Sequence, residues 1–145
     1  MLFVYGTLRD PDILAALLGR PLESLAIRLA TAPDHRAVYY PGRVYPALVP
    51  APRAIAEGLL LAPLSSRDLA LFDAFEGEEY RRGALTVLCD GEAVSAQAYL
   101  PVQPIGADAP AWTLETWTRL HKPAVLAAEQ TMSQSLRSMP DTPID

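Results

Sequence analysis

The spacing of apolar and polar positions changes several times along the chain, and each change marks an element. Residues 2–5, Leu-Phe-Val-Tyr, form a short apolar run stopped by Gly6, which predicts a buried strand that ends in a tight turn. In the stretch that follows, "DPDILAALLG", Asp10 stands as an N-cap, Pro11 occupies the first helical position and Gly19 is a stop signal. The beginning therefore reads as strand, glycine turn, helix. Four segments rich in β-branched or aromatic residues come next, "SLAIRLATA", "HRAVYY", "RVYPALVPA" and "AIAEGLLLA", separated by Pro and Gly. They predict a meander of four strands.

At "SSRDLALFDAFEG" the period becomes helical, with Ser65 and Asp68 at capping-box spacing and Gly77 as terminator. "GALTVLCDGEAVSAQAYLPV" alternates around Asp90-Gly91, a strong hairpin signal. The stretch "TLETWTRLHKPAVLAAEQTMSQSL" is helical, interrupted or kinked at Pro123. Strands outnumber helices without the regular alternation of a doubly wound fold, so the class is α+β.

Composition then limits the partners. A chain of 145 residues, half of them hydrophobic, can build one sizeable core. The domain is expected over residues 1–137, with the polar, proline-bearing 138–145 as a flexible tail. Twelve basic against seventeen acidic residues, with no basic stripe, argue against nucleic acid. The first charge, Arg9, stands behind the glycine turn, so no secretory leader is expected and the expected location is the cytoplasm. Apolar stretches such as 59–64 are far shorter than the ~20 residues of a membrane-spanning helix. Cys89 is the only cysteine and reads as core filling rather than as a nucleophile. His35 and His121, too few and too far apart to suggest a metal, read as ordinary polar residues at a strand start and a helix end. Fourteen prolines, about twice the usual ~5% share, read as turns and edge-strand stops.

One carboxylate is out of place. On a helical wheel Glu76 lies about 20° from Leu69, on the face expected to be buried with Phe72. Burial would favour its protonated form and poise it for proton exchange; a fraying helix end would instead release it to solvent. Asp73, three residues back, either shares that site or is an exposed helix residue bonded to a nearby loop, and the second reading is preferred. The turn at Gly6 can aim backbone N–H groups at an anion or a developing oxyanion, because glycine has no side chain to obstruct close approach. As a spacing alone, Tyr5-Gly6-Thr7-Leu8 is also compatible with a simple turn.

The pairing of "FVYGTL" at 3–8 with "LFDAFEGEEYRR" at 71–82 resembles the gamma-glutamylcyclotransferase-like superfamily. "YPALVP" at 45–50, the strand of Gly58, the Tyr80-x-Arg82 step into "ALTV" and the stretch "WTLETWTRLHKPAV" extend the likeness to its bacterial and plant branch related to gamma-glutamylamine cyclotransferases, over residues 1 to about 130. The resemblance implies a mixed sheet curled into a small barrel with helices packed outside. It implies that Tyr5, Gly6, Thr7 and Leu8 cradle the glutamyl carboxylate and backbone of a substrate. Glu76 would be the acid-base residue, and Tyr80, Arg82 and Tyr99 would shape or support the pocket. The implied reaction is closure of a γ-glutamyl amine or peptide to 5-oxoproline with release of an amine, needing no cofactor and no metal. The alternatives are a non-catalytic domain binding an amino-acid-like ligand and an amide hydrolase using the same glutamate; the leaving group and the oligomeric state stay open.

Overall fold

The computed structural model of the chain describes residues 1–138. Its elements, in chain order, are β1 Leu2–Val4, α1 Pro11–Leu18, β2 Ala26–Tyr39, β3 Pro46–Ala62, α2 Ser66–Glu76, β4 Tyr80–Cys89, β5 Glu92–Pro101, α3 Leu114–Leu120 and α4 Lys122–Ser138. A 3-10 turn at Thr7–Arg9 joins β1 to α1, and another at Gly77–Glu79 joins α2 to β4.

The helix ends follow local chemistry. The Asp10 carboxylate accepts from the backbone N–H groups of Asp12 and Ile13, and Gly19 closes α1 at φ 68°. Ser65 and Asp68 cap α2 reciprocally, as their spacing predicts. Asp90 and Gly91, both at positive φ, turn β4 into β5, whose registers run from Cys89↔Glu92 to Tyr80↔Pro101. The C-terminal helical stretch breaks at His121, two residues before the expected Pro123. Pro123 falls in the first turn of α4, where its missing N–H costs nothing.

The meander is corrected. The four predicted strands are two long ones, β2 and β3, paired antiparallel from Ala26↔Ala62 to Tyr39↔Pro46. Between Pro33 and His35 the register shifts, and Asp34 and Arg53 both take positive φ there. The Arg53 N–H donates to the Asp34 carboxylate at 2.9 Å. Pro50 and Pro52 flank this irregularity, a place where a strand can lack an N–H donor without breaking the ladder. Residues that read as strand ends are thus a bend inside one continuous ribbon.

Strand order is β1-β3-β2-β4-β5, closed into a barrel by the parallel contact of Leu2 with Gln97. Alternation along β1 divides the core: Phe3 and Tyr5 point into the barrel, among Ala30, Ala32, Ala56, Ala96, Ala98, Leu85 and Val87, while Leu2 and Val4 point out to α1, α2 and Trp117. Alanine-rich strands leave a bore that a few larger side chains fill. Gly58 makes the crossing of β1 and β3 possible, since a Cβ there would meet the Val4 carbonyl oxygen at 2.4 Å. Cys89 is buried in β4. His35 follows the bend within β2, and His121 closes α3. The expected tail overlaps α4 at Ser138; residues 139–145 lie outside the described residues. Among the described residues no helix is long and apolar enough to cross a membrane.

Candidate active site

A cavity of about 320 Å³ lies where β1 and the turn after it meet α2 and α4. Its walls come from five places: the strand and turn Phe3–Leu8, the loop residues Val44 and Tyr45 with Pro46, the last turn of α2 with Phe75 and Glu76, the rings of Tyr80 and Tyr99, and Val125 with Ala128 from α4. Residues 70 positions apart therefore face one another because β1 lies in the barrel wall beneath α2.

The buried side of α2 is centred on Asp68, Leu71 and Phe72, not on the Leu69–Phe72–Glu76 stripe expected from the wheel. Asp68, with its Ser65 cap and an ion pair to Arg20 at 2.8 Å, occupies the middle of that side. Glu76 stands at its edge in the last turn, half-buried. That edge position is what puts its carboxylate in the cavity wall rather than beneath the helix.

Opposite stands the opening turn. Gly6 has φ −120°, so left-handed backbone is not what it supplies. What it supplies is room, because a Cβ at Gly6 would lie 2.7 Å from Cγ of Pro46. Pro46 is itself a fixed point: its carbonyl oxygen accepts from the Tyr80 hydroxyl at 2.5 Å. The loop before it is pinned by Trp112, whose Nε1–H donates to the Val44 carbonyl at 2.9 Å. Thr7 and Leu8 are buried within the turn.

The tyrosines form the rest of the frame. Tyr40, Tyr45 and Tyr80 pack with ring centroids 5.5–6.1 Å apart. The Tyr45 hydroxyl donates to the Glu79 carboxylate, which Arg43 also meets at 3.3 Å. The Tyr5 hydroxyl donates to the Tyr99 carbonyl. Burial pushes the Tyr5 phenol well above its ordinary range, and the charge of Glu76 pushes it further. Burial likewise raises Tyr80, with Tyr5 and Glu76 adding to the effect. Tyr99 is raised by burial and then by its bond to Asp73, and Tyr45 by burial and then by Glu79, to about 12. All four stay neutral hydrogen-bond donors near neutral pH.

Arg82 takes a different place. It faces a shallow cleft beside the cavity, lined by Asp73, Gly77, Arg81 and Gln97 and sharing Tyr80 and Tyr99 with it. There its guanidinium meets both oxygens of Asp73, at 2.8 and 3.2 Å, and the Gln97 side chain at 3.2 Å. The Tyr99 hydroxyl donates to the same Asp73 carboxylate at 2.6 Å. Asp73 is thus an exposed helix residue with specific partners, and Arg82 lies outside the cavity lining, joined to it by way of Asp73 and Tyr99.

Sequence reading brought together Tyr5–Leu8, Glu76, Tyr80, Arg82 and Tyr99, and all of them but Arg82 line the cavity. It did not assign Val44, Tyr45, Phe75, Val125 or Ala128. Val125 and Ala128 stand three residues apart on one helical face, a pattern compatible with any packed helix; the others are apolar or aromatic residues whose role depends on which elements meet.

The closed five-stranded barrel, the helices packed outside it and the tyrosine-lined cavity between β1, α2 and α4 make an α+β architecture with a built-in small-molecule-sized site. Residues 2–119 match the family model described as gamma-glutamyl cyclotransferase, AIG2-like, and the chain belongs to that family. AIG2-like protein A of Arabidopsis thaliana is 32% identical over 123 residues, which are 83% of this chain and 73% of that protein. The solution structure of an Arabidopsis thaliana protein superposes with a TM-score of 0.65 at 29% identity, covering 97% of this chain and 93% of that one. A solved gamma-glutamyl cyclotransferase shares the fold with a TM-score of 0.58 at 14% identity, covering 99% of this chain and 89% of that one.

Proposed function

We propose that the protein closes γ-glutamyl compounds to 5-oxoproline and releases an amine. The observation that carries this reading is that Glu76 and the Tyr5–Leu8 turn, far apart in sequence, line one cavity.

In the reaction the α-nitrogen of the glutamyl group attacks its own γ-carbonyl carbon. A carbon–nitrogen bond forms within a five-membered lactam, and the bond from that carbon to the leaving nitrogen breaks. The nucleophile is tethered, so effective molarities of ~10⁵ M or more are available once the chain is held bent. What remains for the protein is to hold that shape and move protons. The α-ammonium loses one proton to solvent to become the nucleophile; as the new bond forms, Glu76 takes a second proton from that nitrogen and returns it to the leaving nitrogen, acting first as base and then as acid, so that the lactam keeps one N–H and the amine departs neutral. The N–H groups that open a 3-10 turn have no partner inside it, which suits the stretch after Gly6 to an anionic oxygen of the substrate. The raised tyrosines supply neutral rings and a fixed frame and do not compete with Glu76 for protons near neutral pH.

The test is incubation of the full chain with a panel of γ-glutamyl peptides and γ-glutamyl amides, reading 5-oxoproline by chromatography. The expected result is 5-oxoproline in stoichiometric balance with free amine, abolished by Glu76→Gln. Absence of 5-oxoproline from every member of a broad panel overturns the reading, and release of free glutamate instead would identify a hydrolase.

A further inference from the structure

We infer that the cleft beside the cavity is a second binding site, which takes a small anionic ligand through a carboxylate or phosphate group. The inference is independent of the part given to Glu76, because none of the charged residues of the cleft lines the cavity. The cleft has a volume of about 420 Å³, room for an organic portion beside the anionic group.

The charges of the cleft do not cancel. Arg81 and Arg82 line it against the single carboxylate of Asp73, which leaves one positive charge in excess in a chain of net charge −5. Glu78 and Glu79, in the turn that leads into β4, do not line it, and Glu79 is taken by Arg43 and Tyr45. Arg9, Arg20, Arg28 and Arg43 each pair with an acid, whereas Arg81, exposed in the cleft wall, has no ion-pair partner among the described residues. Hydrogen-bond donors are also in surplus. Arg82 spends one N–H of each guanidinium nitrogen on Asp73 and Gln97, so its two terminal nitrogens keep a second N–H each. Gln97 accepts from Arg82 through Oε1, and its amide N–H groups remain to donate. Two guanidinium groups and an amide present donors that carboxylate and phosphate oxygens match, in charge-assisted hydrogen bonds. A cation would meet the excess positive charge, and an apolar ligand would cover these donors without pairing them. Asp73 competes with any anion for Arg82, so it weakens the site.

The test uses binding alone and no turnover. The full chain, labelled with ¹⁵N, is titrated near neutral pH with sodium phosphate and separately with sodium acetate, at an ionic strength held constant with sodium chloride. NMR follows the Arg81 side-chain Nε–H and the Gln97 side-chain amide. Saturable shifts of both groups are expected with at least one probe, with a Kd on the order of 1 to 10 mM. Arg81→Gln should weaken that binding by about fivefold or more with an unchanged circular dichroism spectrum. Asp73→Asn, which removes the competing charge, should tighten it by about threefold. Arg119→Gln removes the same charge from an exposed position on α3 and should leave the Kd unchanged. Tighter phosphate identifies a phosphoryl ligand and tighter acetate a carboxylate one; both support the site. Shifts that never saturate with either probe overturn it, as does an equal weakening by Arg81→Gln and Arg119→Gln or a Kd that Asp73→Asn leaves unchanged. Saturable shifts confined to the Tyr5–Leu8 amides put the anion in the cavity and overturn it too.

Discussion

The cavity and the cleft beside it share Tyr80 and Tyr99 as a wall, and each contains one carboxylate from α2. In the cleft, Asp73 is held by the forked guanidinium of Arg82 and by the Tyr99 hydroxyl, and its side chain is 46% exposed. In the cavity, Glu76 stands half-buried among apolar residues and rings. Two acids of nearly identical chemistry stand three positions apart on one helix. A carboxylate gripped by a forked cation is held in one geometry by its partners, whereas one in the cavity wall stands where a ligand can reach it. Under the proposed function, environment and not residue type separates a supporting acid from a reacting one.

The largest effect should come from the cavity side of this comparison. Glu76→Gln keeps size and polarity but removes the basic oxygen, and turnover of the best γ-glutamyl substrate should fall by a factor on the order of 10² to 10⁴, with the thermal midpoint little changed. Equal losses in Glu76→Gln and Asp73→Asn would dissolve the distinction and make the two acids a coupled pair.

Gly6→Ala acts on the same cavity by geometry alone. The added methyl must displace Pro46, and with it the carbonyl that holds the Tyr80 hydroxyl. Turnover should fall by roughly 10- to 100-fold, while stability drops by about 1–3 kcal/mol, measured by urea unfolding. A folded, fully active variant would reduce the turn to a connection.

On the cleft side, Asp73→Asn weakens the Arg82 fork and gives the Tyr99 hydroxyl, which donates to it, a poorer partner. The loss per hydrogen bond is about 1 kcal/mol, so activity should decline only about fivefold. Tyr99→Phe should reproduce most of that decline if the Asp73–Tyr99 link transmits it. A loss confined to Asp73→Asn would assign the effect to Arg82 instead.

The smallest effect near neutral pH concerns the shared wall. An unfolded tyrosine ionises near ~10, whereas Tyr5, Tyr80 and Tyr99 keep their protons to higher pH in the folded chain. The folded state therefore binds more protons above that point. Their contribution is fully present below about pH 10 and is lost as pH rises beyond it, at about 1.4 kcal/mol per pH unit for each such phenol. Tyr45 adds its share between about 10 and about 12. Urea midpoints from pH 8 to pH 11 should be level and then fall, and Tyr80→Phe should make the fall less steep.

Signals that act within a few residues were legible without the fold. The Asp10 and Ser65 caps, the Gly19 and Gly77 stops and the Asp90-Gly91 turn all stand where the local pattern puts them, because a cap or a two-residue turn is satisfied by its own neighbours. The strand-turn beginning of the chain was legible in the same way, whereas the grouping of Tyr5–Leu8, Glu76, Tyr80, Arg82 and Tyr99 was legible only as what the family resemblance implied.

Whatever depended on distant partners was decided by the tertiary structure. Four apparent strands became two because pairing across β2 and β3 carries the chain through a proline-flanked bend that reads locally as a stop. The buried side of α2 turned from Leu69 toward Asp68 because Arg20, 48 residues away, supplies the counter-charge that lets an aspartate lie there. Arg82 went to the cleft because Asp73 offers its fork two oxygens. Val125 and Ala128 became cavity wall only through the packing of α4 against α1. Local conformational preference is written in adjacent residues, but the meeting of a face, a charge and a ring is set by closure of the barrel, which no short stretch of the sequence contains.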